Sequence, residues 1–477
     1  MRFIFANEFC LHVLINLHKK RVVRDGEKMP RLMWFTLTLL LGPALIVRAL
    51  NVAVIGAGAA GLASLKNIVG QNHTAVLYEQ GESIGGIWWY TDKTGNDDFG
   101  NPIHTPMYKG LRLNGPHQVI EFPGCPYPPG TVSYPTHDEV LAYMQSYVDR
   151  FNLTDHIKLH HKVLEVNPLR RNRWEVRVKN DKNECITETY DAVFVCSGIF
   201  SLPRMPSING EGSFKGKILH SHDYRDAELY KNEKVLVIGA GTSGKDIIQQ
   251  LNELGVHVTV SLHNDKDGKK RNLLHELVAE VPIRGAVAEI KPRTICFEDG
   301  TEEEFSVIIF ATGYNFNYPF LTNACGIKFD NNHVRPLYKQ ILNIEHPTMA
   351  FIGVPYVAAH NHMYDLQARF ALKFISGKKD MPSKEVMKKD LRTKTQALHD
   401  KKIPEEKTHL LGKLKHKEYY KELANTADIE NVKDIYADIL EKALDLLAEY
   451  PKVFRSYEFK IIKNGNDVTF KVSPPRK

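Results

Sequence analysis

This 477-residue chain lacks the residue sets that most catalytic chemistry needs. Its six cysteines (Cys10, Cys125, Cys185, Cys196, Cys296 and Cys325) are scattered, with no C-x-x-C pair. That excludes a zinc ribbon and a dithiol redox pair, and argues against a dense disulfide framework. No nucleophile-and-base pair stands out. His360 and His362 in "AAHNHMYD" have no evident third ligand, so no metal set is assigned and both read as loop or pocket-wall histidines. The formal charge of +7 is not gathered into an arginine-rich stripe. Much of the lysine, from Lys378 to Lys421, is interleaved with acids, which describes solvated helix faces rather than a nucleic-acid patch. The C-terminus, "FKVSPPRK", offers no apolar anchor.

The long apolar run is at the start. "MPRLMWFTLTLLLGPALIVRA", Met29 to Ala49, has a basic residue at Arg31 and an apolar stretch from Leu32 to Val47. Val47 and Ala49 stand where a signal peptidase would read. The run falls short of the about 20 residues of a membrane span and is interrupted at Gly42-Pro43. The layout is that of a secretory signal beginning at Met29, a membrane anchor or a buried helix being the alternative, with Met1 to Lys28 as an alternative upstream start. The sequons "NHT" at Asn72 and "NLT" at Asn152 are compatible with secretion. The expected localisation is therefore the secretory pathway, with secretion the first reading and the endoplasmic reticulum the alternative, and with no stable membrane span in the mature chain.

From residue 50 one pattern is used twice. "LNVAVIGAGAAGLASLKNIVG" reads as a buried strand, a glycine turn and a helix with Leu62, Leu65, Ile68 and Val69 on one face; the strand "TAVLYE" follows. "EKVLVIGAGTSGKDIIQQLNELGVHVTVS" repeats the order. The copies close similarly, in "YDAVFVCSG" and "FSVIIFATG", β-branched runs typical of buried parallel strands. The expected fold is α/β, with two Rossmann-like dinucleotide-binding domains. Residues 1–49 form the extension and signal, 50–205 the first part of one domain, and 206–317 a smaller domain inserted in it. Residues 318–477 complete the first domain and add helices.

Gly56, Gly58 and Gly61 make "GAGAAG", with Ala57, Ala59 and Ala60 between them. These glycines permit a tight turn, close approach of a pyrophosphate and packing of helix on strand; the helix N-terminus faces the phosphate charge. Glu79 ends the next strand 23 residues past Gly56, where an acid grips ribose hydroxyls. In the second turn, Gly239, Gly241 and Gly244, the position matching Glu79 falls near Leu262. Ser261, His263 and Lys266 occupy that region. Hydroxyl and cationic groups accept a 2′-phosphate that an acid would repel, so this module is read as binding NADP rather than NAD. Two dinucleotide modules in one chain point to electron transfer between FAD and NADPH.

Taken together, the motifs resemble the flavin-containing monooxygenases, from Val52 to about Gly377. The first "GAGAAG" with Glu79, "GGIW" at Gly85 to Trp88, Asn114 in "LRLNGP" and "FKGKILHSHDYR" at Phe214 to Arg225 carry the likeness. So do the second "GAGTSG", "FATGY" and "LQAR" at Leu366 to Arg369. Tyr224, in place of tryptophan, looks like this family and not its Baeyer–Villiger relatives. A tail-free chain with an amino-terminal signal looks more like the insect branch, in which some secreted members N-oxygenate pyrrolizidine alkaloids.

The resemblance implies that Gly56 to Gly61, Glu79, Gly86, Ile87 and Trp88 hold FAD. It implies that Asn114 sits near the flavin's reactive edge as the catalytic amide, and that Gln367, taken as lying at a helix start, approaches the flavin pyrimidine. Gly239, Gly241, Thr242, Ser243, Gly244, Lys245, Asp246, Ser261 and His263 would line the NADP side. Many members have an arginine where this chain has His263, which leaves the strictness of NADPH preference open. The implied reaction is reduction of FAD by NADPH, formation of a hydroperoxyflavin with oxygen, and transfer of its distal oxygen to an amine nitrogen or a sulfur. Such a nucleophile needs no general base, which accounts for the missing catalytic constellation. The expected partners are a small amine or thioether and molecular oxygen, with no nucleic acid; a homo-oligomer is compatible. Two alternatives share these motifs: an NADPH oxidase releasing hydrogen peroxide, and a secreted binding scaffold without redox activity. "FKGKILHSHDYR" reads as a linker between the modules, with Gly216 giving a bend, Phe214 and Tyr224 packing it down and His220 holding it by hydrogen bonds.

Overall fold

The structure, a computed structural model, describes residues 49–262, 274, 281–465 and 467–475. The signal reading, His263 and Lys266 lie outside the described residues, apart from Ala49.

Strand Asn51–Ile55 is followed by helix α1 (Ala59–Gly70) and strand Thr74–Tyr78. Leu62, Leu65 and Ile68 of α1 are fully buried, because their spacing puts them on one side of a 3.6-residue repeat. The strand pairs in parallel with Thr74–Tyr78 on one side and Ala192–Val195 on the other. All four residues of Ala192–Val195 are buried, as a parallel strand covered on both faces requires. The full sheet has seven strands, and three of them, Leu337–Tyr338, Leu342–Asn343 and Met349–Phe351, come from beyond residue 317. The second sheet has five, in the order Ile283–Arg284, His257–Ser261, Lys234–Ile238, Val307–Phe310 and Lys217–His220, all parallel. The smaller dinucleotide domain is thus inserted between strands of the larger.

Helix α2 (His137–Arg150) starts with a reciprocal cap. Thr136 Oγ accepts from the Glu139 N–H, and the Glu139 carboxylate accepts from the Thr136 N–H at 2.8 Å. Helix α3 (Thr242–Glu253) follows the second glycine turn. Beyond the second module come α4 (His360–Ile375), α5 (Lys384–Asp400), α6 (Gly412–Ala427) and α7 (Asp434–Glu449), then a hairpin of Glu458–Asn464 with Asp467–Ser473. Helix α4 packs on α1, where Asn67 Nδ2 donates to Asp365 Oδ1 at 2.7 Å. The Arg369 guanidinium of "LQAR" donates to the other oxygen of Asp365 at 2.7 Å. That motif therefore fixes the helix behind the first glycine turn. Among the described residues no helix is long and apolar enough to cross a membrane.

"FKGKILHSHDYR" is not a linker. Lys217–His220 is the edge strand of the second sheet, paired with Val307–Phe310. Gly216 is required by close approach rather than by a bend: a Cβ there would lie 2.2 Å from the Ser306 carbonyl oxygen and 2.6 Å from the Phe214 ring. Tyr224 is fully buried, stacked on Tyr230, and donates to Gln250 Oε1 at 3.0 Å. His220 Nδ1 accepts from the His222 N–H at 3.1 Å. Burial pushes the His220 pKa down to about 4, so its ring is neutral and holds backbone rather than moving protons. The end of the string reaches the first module. The buried Arg225 donates to the carbonyls of Lys93 and Thr105, and the Lys109 N–H donates to the Arg225 carbonyl at 2.8 Å.

Gly216→Ala is expected to lower stability by about 2 kcal/mol, since backbone oxygen and ring cannot both move aside. The urea unfolding midpoint measures it, with Gly212→Ala, where an added Cβ meets nothing within 4 Å, as the silent control.

Candidate active site

At the first turn, Gly56 takes φ +103°, and its N–H donates to the Tyr78 carbonyl at 2.8 Å. A Cβ on Gly61 would lie 1.8 Å from the Gly56 oxygen, so α1 can seat on the strand end only if residue 61 is glycine. Gly58 faces a second glycine: a Cβ on Gly86 would come 2.9 Å from the Gly58 Cα. The Gly85 N–H donates to the Ala57 carbonyl at 3.0 Å, which holds the turn Gly86–Trp88 over the first loop. Ile87 and Trp88 are half-buried beside it. Helix α1 has no side-chain cap and no acid in its first turn. Its leading amides are therefore left for an anion.

Glu79 is 5% exposed, and both its oxygens are aimed by backbone amides: Ala57 N–H to Oε2 and Gly81 N–H to Oε1, each at 2.8 Å. The remaining lone pairs suit ribose hydroxyls. Spare amides, a glycine-lined cradle and a fixed acid fit FAD.

The second turn repeats the design. Gly239 has φ +105°, a Cβ on Gly244 would lie 2.4 Å from the Gly239 oxygen, and a Cβ on Gly241 would meet nothing within 4 Å. Helix α3 likewise has no side-chain cap. Thr242 is exposed and Ser243 half-buried at its start, and Lys245 is half-buried, with its pKa lowered by desolvation. This cradle fits a second dinucleotide. Ser261 does not contribute as expected. It is 1% exposed and its hydroxyl donates to the Gly285 carbonyl at 2.8 Å, because it closes the sheet rather than facing a 2′-phosphate.

Gln367 also differs from expectation. It lies well inside α4, not at a helix start, and is fully buried. Its Oε1 accepts from the Gly353 N–H at 2.9 Å and its Nε2 donates to the Tyr419 hydroxyl at 2.8 Å. Its amide ties α4 to α6. His362 stacks on Tyr436 at 3.7 Å and bonds the Gln118 carbonyl. Tyr127 and Tyr143 stack on each other at 3.7 Å, and Tyr134 packs edge-on against Phe454; all three are packing residues.

Asn114 is half-buried, and its Oδ1 accepts from Arg455 Nη2 at 2.5 Å. The same Nη2 lies 3.0 Å from both oxygens of Asp246, which α3 turns toward the first module. Tyr108 donates to Asp246 Oδ2 at 2.9 Å. Neither Arg455 nor Tyr108 was legible as a site residue, because each reaches the junction only through folding and belongs to no motif.

Two dinucleotide cradles in one chain, linked from Asn114 through Arg455 to Asp246, define a two-cofactor oxidoreductase. The chain belongs to the flavin-binding monooxygenase-like family, whose pattern matches residues 49–269 and 270–452. It is 33% identical over 435 residues to senecionine N-oxygenase of Tyria jacobaeae, covering 89% of this chain and 92% of that one. It is 32% identical over 430 residues to flavin-containing monooxygenase FMO GS-OX4 of Arabidopsis thaliana, covering 86% and 91%. Among solved structures it is similar to S-allyl-L-cysteine S-oxygenase from Allium sativum, with TM-score 0.76 and 27% identity over 86% of this chain and 95% of that one. Tmm from Pelagibacter sp. strain HTCC7211 gives TM-score 0.75 and 27% identity over 88% and 96%. The protein is an FAD- and NADPH-dependent monooxygenase.

Glu79→Gln places an NH2 against one of two N–H donors. We expect FAD affinity to fall about tenfold, measured by titrating FAD into apoprotein. Gly86→Ala should yield protein with little flavin per chain by visible absorbance.

Proposed function

We propose that this enzyme N-oxygenates small tertiary amines, with pyrrolizidine-type alkaloids the first class to test. The observation that supports this reading most directly is the similarity to an N-oxygenase over nearly the whole of both chains. Bound FAD, reduced by NADPH, supplies the oxygen-transfer chemistry. This chain's residues bind and orient. The two uncapped helix starts take the pyrophosphates, Glu79 takes a ribose, and Asn114 offers its amide N–H to the reacting end of the flavin. An amine lone pair needs no base. This suits a protein whose buried His220 and His362 both have pKa values pushed down to about 4 by desolvation, and so stay neutral. Thioethers are a second substrate class, favoured by the fold shared with an S-oxygenase.

The decisive measurement is NADPH consumption with a panel of tertiary amines, thioethers and alkaloids, with products identified. One N-oxide per NADPH is expected for the best amine. Peroxide alone, with bound FAD, would show an oxidase; a colourless purified protein would show a scaffold.

We propose entry into the secretory pathway from the Met29 segment, supported by the exposure of both sequon asparagines, Asn72 and Asn152. Expressed in cells of a eukaryotic host, the protein should shift in mass on glycosidase treatment, and Asn72→Gln with Asn152→Gln should abolish the shift. An unshifted intracellular protein refutes the routing.

A further inference from the structure

Arg455 lies just past residue 452, where the family pattern ends, and outside every motif, yet two segments distant in sequence, residues 113–114 and Asp246, meet on its guanidinium. Its Nε donates to the Leu113 carbonyl at 3.0 Å, and its Nη2 donates to Asn114 Oδ1 at 2.5 Å and to Asp246 at 3.0 Å. Its side chain is 19% exposed and that of Asp246 is 13% exposed, so water screens this pair weakly. The Phe454 ring lies 4.8 Å from the guanidinium carbon. The chain just after it is pinned: Glu458 accepts from the Ser133 N–H and hydroxyl, the Phe459 N–H donates to Ser133 Oγ, and Gln118 donates to the Phe459 carbonyl. The C-terminal hairpin therefore delivers Arg455 at a fixed height above residues 113 and 114.

A guanidinium carries donors and no acceptor. The amide atom of Asn114 that faces it must be the oxygen, and the NH2 must face away. An asparagine beside a glycine has no such constraint on its own; turned over, it would offer a lone pair where a donor is required. Asp246 belongs to α3, whose N-terminus serves the second dinucleotide. Without Arg455 its carboxylate, little exposed, would keep the Tyr108 hydroxyl and the neighbouring Lys245 charge but lose its close ion-pair partner near that anion.

We propose that Arg455 is a positioning residue for oxygen transfer: it fixes the Asn114 amide with Nδ2 left for the flavin, and it neutralises Asp246 on the NADP-side helix. This rests on the reading of Asn114 as the amide donor, and the test separates the two. The FAD-loaded enzyme is compared as wild type, R455A, R455K, N114A, R455A/N114A and R455A/D246N. One readout is the fraction of NADPH electrons released as hydrogen peroxide with saturating amine; the other is the NADP+ dissociation constant of the oxidised enzyme.

R455A should raise the peroxide fraction about fivefold, the worth of one hydrogen bond, with the amine KM little changed. R455A/N114A should leak no more than N114A, since both act on one amide. NADP+ should bind about tenfold more weakly to R455A, as one uncompensated charge predicts, and R455A/D246N should restore binding to within about twofold of wild type. R455K, a point charge without a fork, should lie between wild type and R455A. Wild-type peroxide release in R455A overturns the proposal, as does leakage that adds to that of N114A, or NADP+ binding that D246N fails to restore. If R455A does not fold, R455K decides alone: raised leakage supports the proposal and wild-type leakage ends it. Wild-type leakage in N114A would instead remove the reading of Asn114 itself.

Discussion

Everything at this site depends on two places where a backbone carbonyl lies where a side chain would otherwise be. A Cβ at Gly61 would sit 1.8 Å from the Gly56 oxygen, and one at Gly244 would sit 2.4 Å from the Gly239 oxygen. Only when these positions are bare can a helix drop onto the end of its strand with its N-terminus directed at the loop. The uncapped first turns then have a purpose. A Ser or Asp cap would satisfy the leading amides and also exclude the phosphates. Both helices go without a side-chain cap, and the stability forgone there is recovered when an anion binds the folded state.

The two modules must also be held together, and here polar contacts add to a small apolar overlap in which Tyr108 and Leu111 pack with the second module's core. The larger apolar clusters each stay largely within one module. The polar contacts across the boundary include Arg225 on the carbonyls of Lys93 and Thr105, Lys109 on Asp226, Tyr108 on Asp246, and Arg455 between Asp246 and Asn114. Buried cations with several acceptors have narrow geometric tolerance. They set angle and register without demanding a large apolar interface.

This explains what could be read from the chain alone. The glycine spacing, the acid at residue 79 and the β-branched closing runs are local in sequence, and each maps onto a local requirement of turn, strand or helix. The insertion of one module in the other was legible because the pattern repeats. Three readings went differently, for one shared reason. For Ser261, Gln367 and the "FKGKILHSHDYR" string, residue type and position along the chain do not reveal the task. Their tasks are set by partners far away: Gly285 for Ser261, Gly353 and Tyr419 for Gln367, and the strand Val307–Phe310 for the string. Arg455 is the extreme case. It acts on Asn114 across some 340 positions, and no spacing rule spans that distance.

The junction also reconciles two electrostatic demands that conflict. Both dinucleotides bring negative charge, which favours positive surroundings, while the donor role proposed for Asn114 calls for a neutral, well-aimed amide. A lone arginine beside Asn114 would offer competing N–H groups and attract solvent. With Asp246 taking the same Nη2, the pair is close to neutral as a unit, and what it transmits to the site is orientation rather than field. Charge is used here to hold a neutral amide still. Because the acid comes from α3, the guanidinium that holds the Asn114 amide also takes hold of the second module, so the orientation of that amide and the seating of α3 meet on one side chain.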